Sequence, residues 1–112
     1  MELSGRLEGK DVLVLELRED NLDASNVREF RDAASALIQE HRCVVVDLAG
    51  VKFVDSSGLG ALLSCLRQVG ERKGMLKLCE MTRTVRALFE LMRMHKVFVI
   101  HETRDEAVAS FD

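Results

Sequence analysis

The stretch from residue 44 to residue 66, which reads VVVDLAGVKFVDSSGLGALLSCL, constrains the fold of this chain more than any other part. It opens with a continuous run of valines, which is typical of a strand buried on both faces of a parallel sheet. A turn at Ala49 and Gly50 and a second short apolar piece at 51–54 follow. Next come Asp55, two serines and a glycine, and then leucines at helical spacing. The pattern predicts a buried strand that delivers a carboxylate and two hydroxyls to the start of a helix.

The start of this helix is the candidate functional site. The first turn of a helix has backbone N–H groups without partners and carries a partial positive charge, so it suits a capping Ser or Asp and also a phosphate group. One hydroxyl suffices as a cap, whereas Ser56 and Ser57 supply two. Glycines at positions 58 and 60 remove side chains there and leave the site open to a partner. Spacing alone leaves both interpretations standing: a serine cap with Asp55 complementing the dipole, or a phosphate acceptor.

The remaining elements are predicted to alternate between strands and helices. Predicted strands are Leu3–Glu8, 11–17, 44–46, Met75–Cys79 and a final buried strand at 97–100. Predicted helices run from about Asn26 to Glu40, from about Ser57 to Gln68 or Arg72, from Thr82 or Thr84 to a break at His95, and from Thr103 onward. This order predicts an α/β fold in one domain over residues 1–112, with a mixed, mostly parallel β-sheet whose first strand is antiparallel, and covering α-helices.

Capping residues predict where the helices begin and end. Asn26 with Glu29 fits a capping box at the first helix, although Ser25 or Asp23 is an alternative cap. Thr103 with Glu106 predicts a second capping box, at the start of the last helix. The helix that follows the two serines is predicted to end in a left-handed cap at Gly70 or Gly74.

Composition excludes several classes of protein. The 112 residues carry a formal net charge of −3 and no basic stripe, which argues against nucleic acid as the partner. The three cysteines form no C-x-x-C pair, so neither a disulfide framework nor a zinc site is expected. Free buried cysteines, the lack of a signal peptide and the lack of 18 consecutive apolar residues predict a cytoplasmic protein that does not enter a membrane.

The serines do not fit the catalytic and nucleotide-binding motifs. A hydrolase elbow needs glycine two places before its nucleophile, where Val54 and Asp55 stand instead. A phosphate-binding loop needs a lysine after its glycines, and the sequence continues with Ala61 and Leu62. The three histidines, His41, His95 and His101, are scattered. We therefore predict no catalytic residue, no metal site and no cofactor.

A phospho-accepting aspartate on a parallel sheet is a further alternative. Carboxylates at Glu19 and Asp20 follow one strand and that of Asp55 follows another, so they would meet at one sheet edge, where they could hold Mg²⁺. Such a site also requires a lysine at the end of a late strand, and His101 and Glu102 stand at that place.

At these residues the sequence resembles a known family. V-V-D-L-A-G-V-K-F-V-D-S-S-G-L-G-A-L-L is similar to the hallmark of STAS domains, in particular the anti-sigma factor antagonists of bacterial partner-switching systems. The resemblance extends over essentially the whole chain, including Leu22-Asp23 and the later helix at 85–91. It implies the STAS fold and a regulatory protein without enzymatic activity. The chain departs from the family at Arg18–Asn21, which replaces a glycine often found there, so Asp23 could be displaced.

The resemblance also implies a mechanism and partners. Ser56, with Ser57 as the alternative, would be phosphorylated by an anti-sigma factor that is itself a serine kinase, and a PP2C-type phosphatase would remove the phosphate. The unphosphorylated chain would bind the kinase and free its sigma factor. The implied partner-binding residues are Asp23, Asp55, Ser57, Gly58, Leu59 and Gly60, with Leu59 and the open glycines as the contacted patch. A STAS interaction or sensor module without phosphorylation is the alternative, and the choice between a monomer and a weak dimer stays open.

Overall fold

The computed structural model describes residues 1–112, which form seven strands, four α-helices and one short 3-10 helix. In chain order these are β1 (Leu3–Glu8), β2 (Val12–Leu17), β3 (Asn21–Leu22), α1 (Val27–Ile38), β4 (Cys43–Asp47), β5 (Phe53–Val54), α2 (Ser56–Glu71), β6 (Met75–Cys79), α3 (Arg83–Leu91), the 3-10 helix (Met94–Lys96), β7 (Val99–His101) and α4 (Arg104–Ala109). No helix among them is both long enough and apolar enough to span a membrane.

Five strands form the main sheet in the order β1-β2-β4-β6-β7. β1 is antiparallel to β2, and the other neighbours are parallel. The tight turn between the first two strands includes Gly9 at a φ of +57°, a conformation that favours glycine. The predicted mixed sheet with an antiparallel first strand is confirmed.

The valine run forms β4, the middle strand of the sheet. Val44, Val45 and Val46 are completely buried because helices cover both faces of the sheet. Val44 and Val46 face a large core that includes Phe30 of α1, Leu62 of α2 and Phe89 of α3, whose rings and methyl groups are also fully buried. Val45 packs with Ala107 of α4 on the other face. Full burial of each large apolar side chain stabilises the folded state by about 1.5–3 kcal/mol relative to leaving that side chain exposed.

Three predicted boundaries are wrong. The apolar segment 97–100 is not a buried strand, because β7 begins at Val99 at the edge of the sheet, where Val97 and Val99 are 48% and 39% exposed. The left-handed residue after α2 is Lys73, at a φ of 61°, rather than either glycine. α3 ends at Leu91, four residues before the predicted break, and Arg93 then adopts a left-handed conformation at a φ of 59°.

Two of the predicted caps are confirmed, and one is wrong. The Thr82 hydroxyl accepts a hydrogen bond from the backbone N–H of Val85. The Thr103 hydroxyl accepts one from the N–H of Glu106 and donates to the Glu106 carboxylate. Asn26 does occupy the N-cap position of α1, but the capping box predicted with Glu29 is absent, because the Asn26 amide group instead bonds backbone groups of Asn21 and Asp23.

Candidate functional site

A short parallel pair, β3 with β5, carries the chain to the start of α2. Leu22 lies beside Val54 in this pair, and both side chains are buried. The backbone N–H of Asp55 donates to the Leu22 carbonyl at 3.3 Å, which continues the ladder by one step. The predicted site therefore follows β5, and not the central strand β4 directly.

Asp55 is the N-cap of α2. One carboxylate oxygen accepts a hydrogen bond from the N–H of Gly58 at 2.9 Å, and the other accepts one from the N–H of Ala24 at 3.2 Å. The first bond satisfies an orphan donor of the helix, and the negative charge lies at the positive end of the helix dipole. The second bond ties the loop before α1 to the start of α2. Asp55 therefore fixes the local geometry with both of its oxygens.

The two serines are left without a capping role. Ser56 is the first residue of α2 and is exposed, whereas Ser57 is half-buried. The interpretation in which a serine hydroxyl caps the helix is wrong, because Asp55 already performs that role. Ser56 is thus an exposed serine in the first turn of a helix, and the first turn of a helix suits a phosphate group.

Gly58 and Leu59 are not open to a partner, which corrects the expectation of a contacted patch formed by them. A Cβ at Gly58 would lie 2.2 Å from the Leu22 carbonyl oxygen and 2.9 Å from a methyl group of Val54. The glycine is therefore required for the close approach of α2 to β3. Leu59 is 5% exposed and belongs to the main core. Gly60 differs, because it is half-buried and faces the guanidinium group of Arg31.

Asp23 is held in the loop before α1 by its own neighbours. Its carboxylate accepts hydrogen bonds from the Ser25 hydroxyl, the Ser25 N–H and the Asn21 amide, and its carbonyl accepts from the N–H of Val27. These bonds, the one from the Ser25 hydroxyl first, hold the pKa of Asp23 below its ordinary value. Because Ala24 binds Asp55, the structure brings the Asp23 loop to the same end of the molecule as Ser56.

The family follows from comparison of the whole chain. The model of the STAS domain family matches residues 7–107. The chain belongs to the STAS domain family. It is 29% identical over 91 residues to a putative anti-sigma factor antagonist, BtrV, of Bordetella bronchiseptica. This alignment covers 80% of this chain and 78% of that protein.

Solved structures share the fold of this STAS domain. An anti-sigma-factor antagonist domain from Planctomyces limnophilus superposes with a TM-score of 0.88 at 21% identity, and the match covers 96% of both chains. The Bacillus cell fate determinant SpoIIAA in its phosphorylated form superposes with a TM-score of 0.70 at 21% identity, covering 99% of this chain and all of that one. These likenesses confirm the STAS fold predicted from the sequence.

A second polar cluster of the STAS domain escaped the sequence analysis. The Arg104 guanidinium pairs with the carboxylates of Glu8, Glu16 and Asp47, at 3.0 Å for Glu16 and 3.1 Å for Asp47. The arginine lowers the pKa of Glu16, chiefly by its hydrogen bond. The partners lie 57 to 96 residues away in the sequence, so no local pattern announces them. The cluster binds α4 to β1, β2 and β4.

Proposed function

We propose that this STAS domain is an anti-sigma factor antagonist that is switched by phosphorylation of Ser56. The observation that carries the proposal is the exposed Ser56 hydroxyl at the first residue of α2, with capping left to Asp55. The name of the Bordetella relative and the phosphorylated form of SpoIIAA, which has the same fold, support it. In this proposal the domain has no catalytic activity of its own.

The chemistry takes place on the partner. An anti-sigma factor with kinase activity places the γ-phosphate of ATP next to the hydroxyl, the Ser56 oxygen bonds to phosphorus, and ADP leaves while the hydroxyl proton is lost. A PP2C-type phosphatase hydrolyses the ester and restores the hydroxyl. Ser56 is favoured over Ser57 because the Ser57 side chain is half-buried against the protein.

The phosphate acts on docking rather than on folding. It adds roughly −1.5 to −2 charges at neutral pH. The positive end of the α2 dipole stabilises this charge within the domain, by about 0.3–1 kcal/mol for an exposed site. In a complex, the same charge must be desolvated beside the carboxylate of Asp55. A penalty of about 3 kcal/mol there weakens binding by more than a hundredfold.

The proposed partner surface consists of side chains and backbone that are accessible around the α2 start. Ser56 is at its centre, the loop containing Asp23 borders it, and Ser57 and the half-buried Gly60 continue it along α2. Asp55 supports this surface from below through its bonds to Ala24 and Gly58. Gly58 and Leu59 shape it from the interior.

Phosphorylation assays with matched serine variants test the proposal. The chain, Ser56→Ala and Ser57→Ala are incubated with an anti-sigma factor kinase and ATP, and the products are mapped by mass spectrometry. We expect one phosphate on the parent and on Ser57→Ala, and none on Ser56→Ala. Phosphate on Ser57 in the parent would show that Ser57, and not Ser56, is the phosphorylation site. An unmodified parent that still binds the partner would instead favour an interaction module without a phosphorylation cycle.

A further inference from the structure

The guanidinium group of Arg31 lies against α2 one turn after the candidate phosphorylation site. A terminal nitrogen of Arg31 lies 3.4 Å from a Cβ built on Gly60 and is the one atom within 4 Å apart from the neighbouring residues and backbone of α2 itself. Residues four apart in a helix lie on the same face with their Cβ positions about 5–6 Å apart, so Ser56 is the neighbour of Gly60 one turn earlier on that face. The axial distance from Gly60 back to Ser56 is roughly 6 Å.

The relative direction of α1 and α2 places Arg31 beside the N-terminal half of α2. Gln68 of α2 donates a hydrogen bond to the Ser35 carbonyl of α1, one turn beyond Arg31. The pairs Arg31–Gly60 and Ser35–Gln68 show that α1 and α2 run side by side in the same direction. To bind a phosphate on Ser56, the Arg31 side chain would have to reorient by about one helical turn from Gly60 towards the N-terminus of α2.

Arg31 carries an uncompensated charge. None of the ion pairs of the domain includes it; their cations are the amino terminus, Arg6, Arg18, Lys52 and Arg104. The charge nevertheless faces α2. Burial raises the pKa of the Cys65 thiol to about 11, and the positive charge of Arg31 opposes that rise. The absence of a side chain at Gly60 admits the guanidinium group to this position.

We propose that Arg31 is the intramolecular counter-ion of phosphorylated Ser56. The inference rests on the proposed phosphorylation site and assigns a residue that holds the phosphate within the domain. A guanidinium group binds a phosphate through two parallel N–H···O bonds, a geometry that a lysine does not reproduce. In the unphosphorylated domain Asp55 makes no ion pair with Arg31, and its two oxygens accept backbone hydrogen bonds from Ala24 and Gly58.

The pairing has a consequence for regulation. In the unphosphorylated domain Arg31 is exposed and available to an acidic group of a partner. After phosphorylation the arginine is occupied by the phosphate, and α1 and α2 are joined across Gly60. The modification therefore removes a hydroxyl and a free positive charge from the partner surface at once.

Phosphorus NMR measures this pairing directly. Phosphoserine is introduced at position 56 during translation, and its second ionisation is followed by a pH titration in the parent, Arg31→Gln and Arg31→Lys. A nearby cation favours the dianion, so we expect the phosphate pKa to rise by about half a unit or more in Arg31→Gln. We expect a smaller rise in Arg31→Lys, which keeps the charge but loses the bidentate geometry. Equal pKa values in the parent and Arg31→Gln would overturn the inference.

Arg67→Gln is the matched control. Arg67 is an exposed arginine of α2, without an ion pair, eleven residues after Ser56. We expect its phosphate pKa to match that of the parent, and a rise as large as that of Arg31→Gln would show a general charge effect and overturn the pairing. Melting temperatures within a few degrees of the parent show that the variants are folded.

The test is independent of the proposed function. Translation installs the phosphate without any kinase. If no kinase modifies Ser56 but Arg31→Gln raises the phosphate pKa, the proposed function fails while the pairing stands. If a kinase modifies Ser56 and the pKa values of the parent and Arg31→Gln are equal, only the counter-ion inference fails.

Discussion

Replacement of Gly58 by alanine tests how the site is built. The added Cβ would lie 2.2 Å from the Leu22 carbonyl oxygen, a contact that real Cβ atoms do not make, and the obstacle is backbone rather than a flexible side chain. Either α2 or β3 must move. Movement of β3 breaks the hydrogen bond from the Asp55 N–H to Leu22, which is 3.3 Å long in the native domain.

The expected loss of stability follows from these contacts. Overpacking of this kind costs about 1–3 kcal/mol, and the broken backbone bond adds about 1 kcal/mol. The higher helix propensity of alanine returns less than about 1 kcal/mol. We therefore expect Gly58→Ala to lower the free energy of unfolding by about 1–3 kcal/mol, or roughly 4 °C in melting temperature per kcal/mol.

Two other glycines of α2 are matched controls. A Cβ at Gly70 meets nothing within 4 Å, so Gly70→Ala should raise the free energy of unfolding by up to about 1 kcal/mol. A Cβ at Gly60 meets only the flexible end of Arg31, and Gly60→Ala should be close to neutral. Urea denaturation of the three variants gives the comparison. If Gly58→Ala is as stable as Gly70→Ala, the close approach of α2 to β3 is wrong.

Three further predictions concern the cap, the arginine cluster and the thiols. Asp55→Ala should lower the free energy of unfolding by about 1–2 kcal/mol because α2 loses its cap, with Ser56→Ala, which removes no cap, as the near-neutral control in urea. In the folded domain the pKa of Glu16 lies below its ordinary value of 4.5, chiefly because of its hydrogen bond from Arg104. The ion pair therefore stabilises the fold fully above pH 4.5, and this contribution is lost as the pH falls through the lower pKa of the folded state. Arg104→Ala should flatten this part of the stability–pH curve measured by thermal melting. Burial raises the pKa of Cys79 to about 12, so native Cys79 should resist iodoacetamide at pH 8 until urea unfolds the domain, as read by peptide mass spectrometry.

Each of these three predictions has an outcome that would contradict the structure. An Asp55→Ala variant as stable as Ser56→Ala would show that the carboxylate is not the cap. If the stability–pH curve of Arg104→Ala is unchanged at acidic pH, the arginine is not the cause of the low pKa of Glu16. Alkylation of Cys79 at the same rate in native and unfolded protein would place its thiol at the surface.

The main sheet was predictable because its signals are local. Mostly apolar segments marked β2, β4 and β6, and a short turn at Gly9 marked the first antiparallel pair. The error at β7 has a physical cause, since the segment 97–100 is as apolar as the valine run of β4. Whether such a strand lies in the middle or at the edge depends on the order of strands in the sheet, which no local pattern contains.

Contacts with residues distant in the sequence determine which residue caps α2 and why position 58 is a glycine. Asp55, Ser56 and Ser57 are all good capping residues, so their sequence alone does not decide among them. The β3–β5 pair decides, because it stops the extended chain at Asp55 and starts the helix at Ser56. Gly58 looked like an opening for a partner, but it faces Leu22, 36 positions earlier in the chain. The sequence thus placed the two serines correctly at the start of a helix, but it wrongly predicted that Gly58 and Leu59 are accessible there.

The affinity of the domain for an anti-sigma factor kinase, with and without phosphate on Ser56, tests the central claim most directly. Calorimetric titration of the kinase with both forms gives the two dissociation constants, and thermal melting of each form alone reports its folding. We predict that the phosphate weakens binding by roughly a hundredfold or more while the melting temperature changes by only a few degrees. Equal affinities, or a phosphorylated domain that has lost its fold, would contradict the account.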